Sequence, residues 1–345
     1  MYVKKAMLLA GMLLAVFVLF GCGSQQGSAP SQKQGPYTIG YDVYWLGNSW
    51  SVQLQEEFKA AVAKNKGDIE EVFYTQSDNQ PDKQVSNIQS MISRKVDAII
   101  MTPISPSAAV PVIKQAEQAN IPVILLAATA ETEDYTSLVT VDDREFGRVG
   151  AKWLAEELNG KGNIYVLNGV AGIATNDQRF SGAKSVFKDY PGINIVAAEN
   201  ADWDDAKAKT VTATMLAAQP DVDGVWSQGG SMTLGAIEAF ENAGKPLVPM
   251  TGEDNNGFLK KWQQLRQSGG ENFDSIGVAK PTWLAESALE TTLKILKGQD
   301  YKKDNIMPPP RITSKNLDEY VRPDLPDSFW TSTRLSDERI KKLYE

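Results

Sequence analysis

The chain has 345 residues and carries 43 acidic against 35 basic side chains, which gives a net charge of −8 at pH 7. An acidic chain is not expected to bind nucleic acid, because such binding needs clustered lysine and arginine. The chain has no histidine and a single cysteine. This composition excludes Cys–His catalysis, ordinary zinc sites and an intrachain disulfide.

Residues 1–21 are predicted to be a signal peptide. Lys4 and Lys5 precede an apolar run over residues 6–21, which is shorter than the ~20 residues that a bilayer-spanning helix needs. The run ends in Leu19-Phe20-Gly21-Cys22, which resembles a bacterial lipobox. We expect cleavage before Cys22 and lipidation of its thiol. The alternative is an N-terminal anchor helix with an incidental cysteine.

Residues 22–36 are predicted to be a flexible tether that follows the lipidated cysteine. After Cys22 they contain only Gly, Ser, Gln, Ala, Pro and one Lys, so they cannot bury apolar surface. The rest of the chain would then lie outside the cytoplasm, at the periplasmic face or the cell surface. A lipid anchor alone would hold it to the cell membrane.

Three large aromatic residues follow the first predicted strand, residues 37–41. Tyr44, Trp45 and Trp50 lie on the loop between this strand and a helical pattern. One interpretation is that neighbouring loops cover these aromatic residues. The other is a ligand cleft, because small molecules bind at the carboxyl ends of strands in open α/β sheets. Tyr and Trp offer a flat apolar face and a polar tip to a sugar or polyol.

Short apolar runs alternate with amphipathic helical patterns along the rest of the chain. The predicted strands are residues 37–41, 69–75, 96–102, 122–127, 138–141, 163–167, 193–199, 224–227, 247–251 and 275–279. Nearly continuous apolar strands that alternate with helices indicate parallel sheets covered on both faces. The ~310 residues after the tether exceed one comfortable core, so two α/β lobes are expected.

Several short segments carry a resemblance to a known family. In the first half they are residues 77–81, 97–108 and 119–124. In the second half they are Asp142-Asp143 with Gly147, residues 168–172, Arg179 with Gly182, and residues 235–245. In this order and spacing they resemble type I periplasmic sugar-binding proteins of the ribose-binding-like group. The resemblance covers about residues 37–298.

The resemblance implies two Rossmann-like lobes joined by a three-segment hinge. Each lobe would be a parallel sheet with helices on both faces. The implied N-terminal lobe is 37–141 plus 279–308, and the implied C-terminal lobe is 142–278 plus 309–345. Crossings are expected near 141–142, 278–279 and 308–310. The tail from residue 311 is expected to be a strap over the second lobe.

The family also implies a function. The protein would capture a small polyhydroxylated ligand, a monosaccharide or polyol, in the cleft between the lobes, which would close around it. It would then deliver the ligand to the permease of an ABC importer. A monomer without cofactor or metal is expected. The alternative is a sensor that presents a sugar or furanose signal to a chemoreceptor or histidine kinase.

Ligand contacts are carried over from the family to matching positions on the loops that follow strands. Asp142 has an alternative role as a helix cap, Arg179 as part of a structural ion pair, and Asp254 as the cap of the helix that follows. The predicted contacts are Tyr44, Trp45, Asn48, Trp50, Asp142, Arg179, Trp203, Gln228, Asp254, Asn255 and Lys280.

Three departures from the family pattern concern the identity of the ligand. Ala127-Ala128 stand where many pentose and hexose binders carry Asp-Arg. Asp177 replaces an Arg of ribose binders, and Gly229-Gly230 replace an Asn-Asp pair. The predicted cleft has therefore lost charged groups and gained indole surface, so no particular sugar is assigned.

Other classes of protein fit the sequence poorly. Residues 168–172 are glycine-rich but match neither a Walker loop nor GxGxxG, so nucleotide chemistry has no motif here. Carboxylate pairs such as Glu253-Asp254 could act as acid and base, but such pairs are too common in α/β proteins to indicate an enzyme. Repressors of similar fold begin with a DNA-reading helix-turn-helix, whereas this chain begins with the predicted signal peptide. We therefore expect a binding protein and not an enzyme.

Overall fold

The computed structural model describes residues 34–268 and 273–344. The predicted signal peptide, the predicted lipidation site Cys22 and the predicted tether up to residue 33 lie outside the described residues. Within those two ranges, none of the helices combines the length and the apolar character needed to cross a membrane.

Strands and helices alternate along most of the chain. In chain order the elements are β1 (Tyr37–Val43), α1 (Ser49–Lys64), β2 (Ile69–Gln76), α2 (Pro81–Ser93), β3 (Ala98–Met101), α3 (Val110–Gln118), β4 (Val123–Leu126), β5 (Ser137–Val141), α4 (Asp143–Glu157), β6 (Lys161–Asn168), α5 (Ala174–Phe187), β7 (Gly192–Asn200), α6 (Asp205–Ala218), β8 (Gly224–Ser227), α7 (Gly230–Asn242), β9 (Met250–Gly252), α8 (Asn256–Gln267), β10 (Ser275–Val278), α9 (Leu284–Leu296), β11 (Asp304–Met307), β12 (Arg311–Ile312), α10 (Leu317–Tyr320) and α11 (Asp337–Tyr344).

The strands form two sheets of six. The first has the order β11-β5-β4-β3-β1-β2 and the second the order β12-β10-β9-β8-β6-β7. Every strand pair is parallel except β10 with β12, which is antiparallel. The two-lobe α/β fold with parallel sheets is confirmed, and all ten predicted strands are present. The sequence did not predict β11 and β12.

Both faces of each sheet are buried, which explains the continuous apolar runs. In β3, Ile99 packs into the core on one face of the sheet and Ile100 into the core on the other. In β6, Ile164 and Tyr165 are divided in the same way. Successive side chains of a strand point to opposite faces, so a strand covered on both sides must be apolar throughout.

The chain passes between the two sheets three times. It leaves the first sheet after β5 and enters the second lobe at α4, which packs on α5. It returns between β10 and α9, a helix that packs on α1 and β4. It crosses again between β11 and β12, through Pro308, Pro309 and Pro310. This is the three-segment connection that the family resemblance implied.

The C-terminal segment, residues 321–344, contacts both lobes. Leu325, Phe329, Leu335 and Ile340 form a buried cluster with Ala60 of α1, in the first lobe. The same segment also bonds to the start of α8 in the second lobe, where the backbone N–H of Asn256 donates to the carbonyl of Phe329 at 2.8 Å. The sequence predicted a strap over the second lobe, and the structure adds the contacts to the first.

Candidate ligand-binding site

A cavity lies between the two lobes, at the carboxyl ends of the strands of both sheets. It holds about 800 Å³ of space outside the protein atoms, part of it open to solvent. Parallel strands end at the same edge of a sheet, so the loops that follow them meet there. Both lobes contribute such loops to the cavity.

The first lobe forms its wall from three loops. Those after β3 and β4 add the small or apolar residues Thr102, Pro103, Ile104, Ala127 and Ala128. The loop after β1 and the start of α1 supply the predicted residues Tyr44, Trp45, Asn48 and Trp50, together with Ser49. Apart from the hydroxyl and amide groups, this wall is apolar and uncharged.

The helix start holds the aromatic residues of this wall in place. The side-chain oxygen of Asn48 caps α1 by accepting from the backbone N–H of Ser51 at 2.8 Å. The hydroxyls of Tyr44 and Ser51 are 2.8 Å apart, within hydrogen-bond distance. Trp50 Nε1 donates to the Lys280 carbonyl at 2.8 Å, which ties the first lobe to the second crossing. With that N–H bonded, the indole of Trp50 offers mainly its apolar face.

The second lobe supplies charge and one more indole. Its lining residues come from the loops after β6, β7, β8 and β9 and from the helices that follow. Lys280 from the second crossing and Trp330 from the C-terminal segment complete the cavity. The second-lobe lining residues are Ile173, Thr175, Arg179, Trp203, Gly229, Ser231 and Glu253.

Arg179 is the centre of a buried charge network, with a side chain only 2 % exposed. Its Nε donates to Asp143 Oδ1 at 3.0 Å and one terminal nitrogen donates to Glu253 Oε1 at 3.1 Å. The other terminal nitrogen donates to the Gln228 carbonyl at 2.8 Å. The guanidinium carbon lies 3.5 Å from the centre of the Phe146 ring, a cation–π contact. These four contacts fix the guanidinium of Arg179 at the wall of the cavity.

Lys280 extends this network to the second crossing. Its Nζ donates to Asp143 Oδ2 at 2.7 Å and to Thr175 Oγ1 at 3.3 Å. Asp143 therefore binds both cations, one through each carboxylate oxygen. The sequence named Asp142 as the candidate contact, and the structure places its neighbour Asp143 at the junction of the network.

Close helix packing brings Asp143 and Arg179 together. A Cβ on Gly147 of α4 would lie 1.8 Å from the carbonyl oxygen of Arg179. A Cβ on Gly182 of α5 would lie 2.0 Å from the carbonyl oxygen of Arg144. Only glycine allows the two helix backbones to approach this closely. The side chain of Asp143, at the start of α4, then reaches Arg179 on α5.

The network shifts the pKa of two of its members. Burial raises the pKa of Glu253 to about 7; the positive charge of Arg179 opposes this shift and the negative charge of Asp254 adds to it. Burial lowers the pKa of Lys280, while the nearby Asp143 opposes that shift. When all four members are ionised, two negative and two positive charges cancel.

Trp203 stands on a backbone that is unusual for a bulky residue. Asp202 and Trp203 both have positive φ, 54° and 56°, a conformation that costs free energy in non-glycine residues. The indole lies against Gly169, where a Cβ would come within 2.2 Å of the ring. Its buried Nε1 has no acceptor among residues 34–268 and 273–344. The strained turn thus places an indole against the cavity.

Four predicted contacts lie outside the cavity lining. Asp142 is exposed and caps α4 by accepting from the backbone N–H of Glu145. Gln228 is buried and donates to Asn168 and Asn176. The other two residues, Asp254 and Asn255, follow β9 and are treated next. The other seven predicted contacts all line the cavity.

Asp254 and Asn255 face the C-terminal segment. Asp254 Oδ2 accepts from the backbone N–H of Ser332 at 2.7 Å, and burial raises the pKa of Asp254 to about 6. Asn255, and not Asp254, caps α8, by accepting from the backbone N–H of Phe258. The carboxylate that lines the cavity is Glu253. The residue predicted from the sequence, Asp254, is the neighbour of the residue that lines the cavity. Successive side chains of extended backbone point to opposite sides, so a shift of one position changes which side chain faces the cavity.

Several lining residues are not among the ligand contacts predicted from the sequence. Glu253 could have been found from its position two residues after the end of the predicted strand 247–251. Thr175 and Ser231 stand at the starts of α5 and α7, where polar residues usually indicate capping. Trp330 is 281 positions from Ser49, whose hydroxyl accepts from its Nε1 at 2.9 Å, and no local pattern predicts that contact.

Comparison with known proteins gives consistent matches over most of the chain. The family model described as a periplasmic binding protein domain matches residues 39–300. A xylitol-binding protein of Mycolicibacterium smegmatis is 29% identical over 87% of this chain and 83% of its own length. A ribose import binding protein of Salmonella typhimurium is 31% identical over 76% of this chain and 86% of its own.

The fold also matches solved structures. An ABC transporter solute binding protein from Bacillus halodurans with bound myo-inositol superposes with a TM-score of 0.76. The two chains are 24% identical, and the match covers 84% of this chain and 98% of the other. At this identity the comparison shows the shared two-lobe fold.

The raised pKa of Glu253 predicts how stability depends on pH. The folded chain holds this proton up to about pH 7, whereas an unfolded chain releases it near ~4.3. Folding therefore takes up a proton between these values, so the free energy of unfolding should fall as pH rises from 4.5 to 7. Urea unfolding of the wild type and of Glu253→Gln at both pH values measures the difference. Equal pH dependence in the two chains would contradict the assignment.

Proposed function

Because the chain belongs to the periplasmic binding protein family, we propose that it is an extracytoplasmic protein that captures a monosaccharide or polyol in the cavity between its lobes. The proposal includes delivery of that ligand to the permease of an ABC importer. The family consists of solute-binding proteins, and the proposed role is binding without chemistry. The xylitol- and ribose-binding relatives support a small polyhydroxylated ligand.

The observation that carries this proposal is the balanced charge of the network at the cavity. Above the pKa of Glu253, which is about 7, Asp143 and Glu253 offset Arg179 and Lys280. Each of the four side chains is at most 4 % exposed. All four charges of the site are already paired, so a charged ligand would find no counter-charge there. Burying its charge would cost free energy. A neutral ligand with hydroxyl groups avoids this cost.

The network also leaves hydrogen-bonding capacity for hydroxyls. Arg179 has five N–H groups and Lys280 has three, and they use three and two of them in the bonds described above. Within the described residues, Glu253 Oε2 accepts no hydrogen bond. A hydroxyl can accept from Arg179 or Lys280 and donate to Glu253, so two neighbouring hydroxyls match this set.

The indoles account for the apolar side of the proposed ligand. Trp45 and Trp50 lie on the wall of the first lobe and Trp203 on that of the second. Sugars and polyols carry C–H groups on the faces between their hydroxyls, and aromatic rings pack against such surfaces. Ala127 and Ala128 add apolar surface where many sugar binders have charged residues. The aromatic contacts are therefore expected to provide a large share of the binding free energy.

We test the neutral-ligand proposal with a matched pair of compounds, xylitol and D-xylonate, which differ in one carboxylate. Thermal unfolding of the full chain at pH 8, above the pKa of Glu253, should show stabilisation by xylitol or another neutral compound among D-ribose, D-allose and myo-inositol. A ligand at 100 times its dissociation constant adds ~2.7 kcal/mol to the free energy of unfolding. Stabilisation by D-xylonate alone, or by none of the compounds, would contradict the proposal.

Two carboxylate-to-amide variants sharpen this test. Glu253→Gln should weaken binding of the neutral ligand by roughly 2–4 kcal/mol, or ~30- to ~1000-fold, because the buried cations lose a negative partner and a hydroxyl loses a charged acceptor. Asp142→Asn is the control, because this residue lies outside the cavity and Asn also caps helices. Calorimetry should give wild-type affinity for the control. Equal affinities of the two variants would count against Glu253 as a contact.

We also propose that Cys22 carries a lipid that anchors the protein outside the cytoplasmic membrane. The family supports the location, and the Leu19-Phe20-Gly21-Cys22 ending of the apolar run supports the anchor. Cys22→Ser should release the protein into the soluble fraction of lysed cells, as measured by fractionation and immunoblotting. A variant that stays with the membranes would argue for an uncleaved anchor helix.

A further inference from the structure

The C-terminal segment is bonded to the first lobe through two buried side chains of α1. Gln53 Oε1 accepts from the backbone N–H of Trp330 at 2.9 Å, and Gln53 Nε2 donates to the carbonyl of the same residue at 2.8 Å. One turn later, Glu57 Oε1 accepts from Thr333 Oγ1 at 2.5 Å and from the backbone N–H of Arg334 at 2.9 Å. These bonds hold residues 330–334 against α1.

The second lobe holds the same few residues from the other side. Trp330 forms an antiparallel bridge with Asn255, and Asp254 accepts from the backbone N–H of Ser332. The second crossing joins in, because the backbone N–H of Thr282 donates to the Ser332 carbonyl at 3.2 Å. Buried carboxylates from the two lobes, Asp254 and Glu57, thus bind Ser332, Thr333 and Arg334, which are consecutive in the chain.

Phe329 and Trp330 have different surroundings. Phe329 is fully buried in the cluster with Ala60 of α1, and its ring meets that of Tyr344 edge to face, with centres 5.9 Å apart. Trp330 is 5 % exposed and lines the cavity between the lobes. Neighbouring side chains of extended backbone point to opposite sides, so burial of Phe329 fixes the direction of Trp330.

We propose that Trp330 is a ligand contact and that residues 328–334 hold it in the cavity from both lobes. This inference rests on the proposed function, because it concerns the same cavity. It adds a contact that comes from the C-terminal segment, beyond the loops at the strand ends. The segment connects the two lobes through its contacts with both, in addition to the three crossings, and it contributes Trp330 to the site.

The bonding of the indole determines what it offers a ligand. Its Nε1 donates to Ser49 Oγ, so the ring has mainly apolar surface left. Trp50 is in the same situation, because its Nε1 donates to the Lys280 carbonyl. Both rings are fixed before a ligand arrives, and little rotamer entropy is lost on binding. Such rigid faces select for the shape of the C–H surface of a ligand.

Calorimetry on the full chain tests this contact with xylitol, D-ribose and myo-inositol as probes. The chain is kept in a polyoxyethylene detergent, which has no sugar headgroup. Trp330→Ala should weaken binding ~10- to ~100-fold, because it removes most of the apolar contact. Trp330→Phe should recover most of the loss. Trp153→Ala, which removes a half-buried indole from the core of the second lobe, is the control and should keep wild-type affinity.

The pattern across the probes separates contact from a purely structural role. A contact residue should change the ratios of the dissociation constants among the three probes, because they present different C–H surfaces. A residue that only stabilises the fold would weaken all three in proportion, or weaken none. Either of these results for folded Trp330→Ala would overturn the proposal.

Hydrogen exchange tests the placement without any ligand. The backbone N–H groups of Trp330, Ser332 and Arg334 should exchange slowly in the wild type, since each donates to a buried side chain. If these N–H groups exchange at the rate of an unstructured chain, the proposal is overturned, whichever of the probes the protein binds. Slow exchange in a chain that binds none of the probes would support the placement and would contradict the proposed function instead.

Discussion

The pairing of Arg179 with Asp143 and Glu253 is the interaction on which the rest of the site depends. A guanidinium buried to this degree is tolerated only when its charge is offset and its N–H groups are bonded. Those requirements bring the start of α4, the middle of α5 and the end of β9 to fixed positions. Lys280 then ties the second crossing to the same group. The cavity is therefore built around a rigid polar centre on the side of the second lobe.

The opposite wall, formed by the first lobe, is largely apolar and uncharged. It has aromatic rings after β1 and at the start of α1, and small residues after β3 and β4. Tyr44 is bonded to Ser51, Trp50 to the second crossing, and Ser49 to the C-terminal segment. A ligand between the two walls meets hydrogen-bonding groups on one side and apolar faces on the other. This asymmetry suits molecules whose hydroxyls and C–H groups lie on different faces. The Trp50 bond to the Lys280 carbonyl connects the two walls where the chain crosses.

The sequence predicted the parts of the molecule that local patterns determine. Buried parallel strands are continuous apolar runs, so ten of them were found, whereas β11 with the sequence DNIM lies at a sheet edge and carries polar residues. Arg179 and Trp50, which were predicted to contact the ligand, both line the cavity, each from the helix that follows a strand. Which of two neighbouring residues faces the cavity depends on the direction of each side chain. Spacing in the sequence does not determine that direction, so it did not separate Asp142 from Asp143 or Glu253 from Asp254. Trp330 reaches the cavity through contacts between distant parts of the chain.

We propose that the ligand binds in the cavity between the lobes. Ser231 lines the cavity at the start of α7 and is half-buried, so a larger side chain at this position would occupy the space of a ligand. The decisive measurement is calorimetry of Ser231→Phe with the neutral compound that binds the wild type most tightly, with Ser231→Ala as the control. We expect no measurable binding to a Ser231→Phe chain that unfolds near the wild-type temperature, and retained binding to the control. Wild-type affinity in folded Ser231→Phe would contradict it.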